Sequence, residues 1–179
     1  MEAIMTVRKD KFTSGQVADI TGVTINDIQN WCKRGYIMGE AVPEGGGSQG
    51  RHRKFSFEAL LVIAFVKALI DAGMRDLVGA FRAASQFAYA TNTAQRLPGL
   101  PFGQQGSRTL IVAGSDWSRA IAVRPGESAF DLFLALSGED EGKRQIGGVW
   151  IDATAVFEKT VRRIGGDPEA EMLRAYGPR

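Results

Sequence analysis

Two short helical segments meeting at Thr21-Gly22, then a glycine-rich basic loop, then a helix apolar on nearly every side constrain the first half of the chain more than any other feature. Thr13 or Ser14 caps the first helix, which runs to about Ile20 with Val17, Ala18 and Ile20 on its apolar side. Thr24 caps the second. Asp27, three residues on, supplies the negative charge that a helix start favours, and Gly35 closes the helix after Lys33 and Arg34. Two short helices around a tight glycine turn are the sequence form of a helix-turn-helix. Between Tyr36-Ile37 and Lys54-Phe55 lie Gly45, Gly46, Gly47 and Gly50, the pattern of a hairpin tip between two short strands, a wing. Ser56 caps a third helix whose apolar residues exceed a single stripe, so burial on most sides is expected. Gly73 ends it, and a fourth helix follows from about Arg75 to Tyr89.

Residues 91–106 include two prolines and several glycines, which cannot continue a helix and so mark a linker. Beyond it the periodicity changes. Thr109–Ala113 and Arg119–Arg124 read as strands around the turn GSDWS, Phe130–Leu136 as a short helix and Gly148–Ile151 as a further strand. Asp152 or Thr154 caps a helix to about Ile164, and Asp167-Pro168 opens a last one with proline in its first turn. The expected fold class is α+β. A winged helix-turn-helix occupies residues 1–90, a Pro/Gly-rich linker 91–106, and a small mixed α/β domain 107–179 serves self-association or effector contact.

Composition narrows the function classes. With 44% hydrophobic and 23% charged residues over 179 positions, the chain has enough apolar material for a real core. Its net charge of +2 is too balanced to imply a nucleic-acid partner by itself. The basic excess is local: residues 33–54 contain Lys33, Arg34, Arg51, Arg53 and Lys54, with His52, against Glu40 and Glu44. That cluster is the candidate phosphate contact. One cysteine and one histidine exclude a disulfide framework and a metal site of the usual kind, so no metal or cofactor is expected. No apolar run reaches the ~20 residues of a membrane span, and a cytoplasmic location is expected. No catalytic set is visible. Ser115 and Asp116 could form a Ser-His-Asp set only if the wing, which holds the lone histidine His52, were the active site, and Glu139, Asp140 and Glu141, between Gly138 and Gly142, read as a solvated turn. Trp117, Trp150 and Phe157 read as core residues.

The run Phe12–Ile37, continued by Glu44–Met74, resembles the winged helix-turn-helix of MerR-type regulators. The order helix, glycine turn, helix, basic wing, and a helix ending in Asp-Ala-Gly-Met carries the resemblance, which stops near Phe87. It implies that the second helix enters the major groove, where amides pair with adenine and Arg or Lys with guanine. Thr24, Asn26, Gln29, Asn30, Lys33 and Arg34 on that helix, and Arg51, His52, Arg53 and Lys54 on the wing, are then the expected DNA-binding residues. Gln29 and Asn30 are the foremost candidate readers. They stand where the family carries an Arg-Tyr-Tyr step, so a phosphate-binding arginine is replaced here by an amide. Arg53-Lys54-Phe55 matches the family's wing end, with Arg53 on phosphate and Phe55 anchored in the core. The family's long dimerisation helix has no counterpart, so residues 107–179 are expected to assemble a homodimer, and truncation after Gln95 to leave a folded monomer. The function so implied is a sequence-specific transcription regulator binding double-stranded DNA as a dimer, with no membrane partner. The alternatives are a phage or mobile-element DNA-binding protein, as in packaging recognition subunits and recombination directionality factors, and an adaptor that no longer binds DNA.

Overall fold

The computed structural model describes residues 11–37, 53–90, 96–104, 106–128, 130–132 and 148–177. In chain order the elements are β1 (Phe12–Thr13), α1 (Ser14–Thr21), α2 (Ile25–Lys33), β2 (Lys54–Phe55), α3 (Phe57–Asp71) and α4 (Leu77–Tyr89). Then come β3 (Arg108–Ala113), β4 (Ser118–Val123), β5 (Val149–Asp152), α5 (Ala153–Arg163) and α6 (Pro168–Tyr176). The fold is α+β, with the helix-turn-helix at its N-terminal end.

Local chemistry sets the helix starts. Thr13 and Gln16 form a reciprocal capping box on α1, with the Gln16 amide donating to Thr13 Oγ1 at 3.3 Å and the Thr13 amide to Gln16 Oε1 at 2.8 Å. Gly22 ends α1 at φ 75°, a left-handed conformation that disfavours any residue with a side chain. Thr24, Ser56, Asp152 and Asp167 cap α2, α3, α5 and α6 through their own side-chain oxygens.

The strand partner of Lys54–Phe55 differs from the sequence-based expectation. β2 pairs antiparallel with β1, Phe12 opposite Phe55, whereas Tyr36 and Ile37 form no strand. Burial explains the choice. Pairing β1 with β2 sinks both Phe12 and Phe55 into the core, while Tyr36 stacks on Phe81 and Ile37 packs inward on its own.

α3 is the spine of the molecule. Phe57, Leu60, Leu61, Ile63, Phe65, Val66 and Leu69 are all 0–1% exposed. Such burial requires cover on several sides: α1 and β2 lie along one, α4 along another, and β5 with α5 along a third. β3 is the middle strand of an antiparallel sheet ordered β4-β3-β5, and Ile111, Ala113 and Ile151 turn towards the helices. Alternation then sends Trp150 to the opposite face, where it is 52% exposed. Trp117 is half-buried and Phe157 fully buried, so of the three aromatics read as core from sequence only Phe157 occupies it completely.

The described part of the segment marked as a linker packs closely. Leu100 and Phe102 are buried, and so is Arg96, which has no carboxylate partner among the described residues. Its Nη1 donates to the Phe87 carbonyl at 2.9 Å and its Nη2 to the Ala90 carbonyl at 2.6 Å, while the guanidinium lies 4.3 Å from the Phe87 ring centroid. The side chain thus satisfies the carbonyls and negative dipole at the end of α4. Burial pushes the Arg96 pKa below its ordinary value, partly offset by Tyr176. Tyr176 ties the same segment to α6, accepting from the Leu97 amide at 3.0 Å and donating to the Pro101 carbonyl at 2.8 Å. Replacing Arg96 by Met, which keeps much of the bulk without the donors, is expected to destabilise the fold by about 1–3 kcal/mol, read from the urea midpoint.

Candidate nucleic-acid interface

α2 divides into a buried and an exposed side. Ile28 is 0% and Trp31 8% exposed, and Trp31 packs T-shaped with the Phe81 ring at 5.1 Å between centroids. Thr24, Ile25, Asn26, Gln29 and Lys33 face outward, and Asn30 is half-buried. One stripe of that outer side, Ile25, Gln29 and Lys33, lines a cleft of ≈ 630 Å³. The opposite wall is Thr13, Ser14 and Gly15 at the start of α1, and Arg53, next to β2, closes it. The cleft therefore gathers a primary amide, two cationic side chains and the first turn of a helix, whose leading backbone N–H groups have no acceptor within the helix. Those are the groups that hold a phosphate oxygen.

The basic side chains around the cleft are available. Among the described residues Lys33, Arg34, Arg53 and Lys54 enter no side-chain hydrogen bond or ion pair. Lys33, Arg34 and Lys54 are exposed and Arg53 half-exposed. Several cations elsewhere are committed: Arg108 to Asp152, Lys67 to Asp71 and Arg174 to Glu171. A group of unneutralised cations beside a helix start leaves a local field that attracts anions, independently of the chain's near-neutral total.

Not every candidate from the sequence reaches the cleft. Gln29, Lys33 and Arg53 do; Asn26, Asn30, Arg34 and Lys54 lie outside its lining. Thr24 is occupied locally: its hydroxyl donates to Asp27 Oδ2 at 2.6 Å and accepts from the Asp27 amide at 3.1 Å. Thr24→Ala is accordingly expected to lower stability by about 1 kcal/mol through loss of the cap, measured by chemical denaturation. Arg51, His52, the glycine-rich tip and the Glu139–Glu141 cluster lie outside the described residues.

Sequence reasoning missed Ile25 as a lining residue, along with Thr13, Ser14 and Gly15 at the start of α1. The helical pattern offered either Ile25 or Ile28 to the core. Residues three apart are offset by about 60° around a helix, so with Ile28 and Trp31 inward, Ile25 falls at the rim of the buried arc. It is 47% exposed in the cleft, an apolar group of the kind that contacts a thymine methyl.

Residues 12–75 match the family model described as MerR HTH family regulatory protein, a little over a third of the chain. This part of the molecule is a MerR-type helix-turn-helix DNA-binding domain, the module of a transcription regulator. Among curated proteins none matches the chain. No helix among the described residues is long and apolar enough to cross a membrane.

Proposed function

We propose that the protein is a sequence-specific regulator that binds double-stranded DNA as a homodimer, with α2 in the major groove and the residues around β2 on the flanking backbone. The observation that carries this reading is the convergence of Gln29, Lys33 and Arg53 on one cleft with the start of α1. That arrangement combines a base-reading amide with groups suited to a phosphate. One short helix and one wing give too few contacts for high specificity, so two copies on half-sites about one helical turn apart complete the interaction. The chain acts as a binding protein, not an enzyme, a reading supported by its single histidine, His52, which lies in the basic cluster. Localisation in the cytoplasm, with its DNA, follows from the same reading.

Selection of bound duplexes from a random DNA pool tests the proposal: an enriched, two-fold symmetric motif is expected, and no enrichment over input would refute it. Within that motif, Gln29→Ala and Asn30→Ala are expected to cost about 1–3 kcal/mol at particular base pairs while leaving others unchanged. Titration of single-base-pair variants of the selected site distinguishes that pattern from a uniform loss. Gln29 lines the cleft and Asn30 does not, so the larger effect is expected from Gln29.

A further inference from the structure

On the surface beyond the α2 cleft, a groove of ≈ 1030 Å³ runs between α4 and the turn joining β3 to β4. Four aromatic residues line it, Tyr36, Phe81, Tyr89 and Trp117, together with Arg82 and Gln86. The turn side is rigidly built. Trp117 lies so close over Gly114 that a Cβ there would sit 2.1 Å from the indole nitrogen, and the Gly114 amide donates to the Trp117 carbonyl at 2.9 Å. Arg82 donates through Nη2 to the Ser115 carbonyl, which fixes its guanidinium at the turn. Gln86 accepts from the Ser118 hydroxyl at 2.6 Å, tying α4 to β4. Val78, 56% exposed, leaves an apolar rim.

A groove of this volume with aromatic walls and a few fixed polar groups suits a small flat molecule. The aromatic lining favours an aromatic ligand, and the guanidinium favours an acidic group on it. Asp116 on the same turn is the lining's carboxylate, so a single negative charge set against Arg82 is favoured over several. The floor also reaches α2. Phe81 packs T-shaped with Trp31 at 5.1 Å between centroids and stacks with Tyr36 at 5.4 Å, and the Tyr36 amide donates to the Trp31 carbonyl at 3.0 Å. A ligand pressing on Phe81 and Tyr36 therefore bears on the helix end that carries Lys33 and Arg34.

We infer that this groove is a regulatory site for a planar aromatic monoanion whose occupancy changes the DNA affinity of α2; the coupling, though not the site, rests on the function proposed above. The probe is 1-anilinonaphthalene-8-sulfonate, titrated by fluorescence into the full-length protein. Saturable binding at one site is expected, weakened about tenfold by Arg82→Ala, the scale of one charge-assisted hydrogen bond. Val78→Glu, at an exposed position where the fold is not at stake, is expected to weaken it likewise by repulsion. Probe affinity unchanged in both variants, with their circular dichroism intact, would overturn the site. The selected duplex is then titrated with and without saturating probe. At least about a fivefold shift in its affinity is expected, with the reciprocal shift in probe affinity when DNA is saturating. Duplex binding that ignores the probe would overturn the coupling, whereas failure of every duplex to bind would count against the DNA reading and leave the site standing.

Discussion

Replacing Lys33, Arg53 and Lys54 together by alanine is expected to lower the slope of log affinity against log salt by about 2.7 units, at about 0.9 per neutralised phosphate. Over a fourfold rise in salt, the parent protein would then lose about fortyfold more affinity than the variant. All three side chains are free of ion pairs among the described residues, so their removal leaves no stranded acid and is expected to spare stability. Fluorescence anisotropy on the selected duplex and on an unrelated one checks the result: both slopes fall together if these groups touch only backbone. A slope lowered on the selected duplex alone would mean that at least one of the three reads a base, with Lys33 on α2 the first to examine singly. Unchanged slopes on both would take these three residues out of the interface.

This expectation could be framed largely from sequence because the determinants are local. Thr13, Thr24, Ser56 and Asp167 announce helix starts through chemistry that acts within three residues, and each caps the helix that follows it. Gly22 and Gly73 announce the ends in the same way, both at positive φ. Lys33 on α2 and Arg53 beside β2 were legible as charges from sequence, and the structure brings them to one cleft. What sequence could not carry was choice among partners. Lys54–Phe55 needed a neighbouring strand, and Tyr36-Ile37 and Phe12-Thr13 were equally apolar; only packing of the two phenylalanines decides for β1. Trp150 has the composition of a core residue, but its parity on β5 is set by Ile151 facing α3, a long-range fact. Arg96 is the extreme case. Its sequence neighbourhood reads as linker, and its burial depends on carbonyls at the end of α4 that only the fold exposes to it.

The second large effect concerns Phe157 on α5, 1% exposed and edge-on to Phe57 of α3 with ring centroids 6.5 Å apart. Phe157→Ala removes most of a buried ring and is expected to cost about 3–5 kcal/mol, a large fraction of the 5–15 kcal/mol that holds a typical domain together. The location of the loss matters more than its size. One hydrophobic cluster runs from Val17 of α1 and Ile28 of α2 through α3 to Ile111, Ile151, Phe157 and Val161. Arg163 at the end of α5 also donates to the Asp19 and Ile20 carbonyls of α1, at 3.1 and 2.9 Å. The C-terminal elements thus supply one wall for α3 and a polar cap for α1. Two changes are therefore expected to act on the helix-turn-helix from a distance. Phe157→Ala should lower the unfolding midpoint seen by near-ultraviolet signals from Trp31 in the N-terminal domain as much as that seen from Trp150 on β5. Truncation after Gln95, which strips Leu100, Ile111, Ile151 and Phe157 from the core, should yield a chain without a cooperative transition, instead of the folded monomer anticipated from assigning self-association to residues 107–179. A truncated chain that unfolds sharply, or a Phe157→Ala protein whose Trp31 transition is unmoved, would show that residues up to 90 stand as an independent domain. In that event the contacts of α5 with α1 and α3 contribute little to the stability of the DNA-binding end.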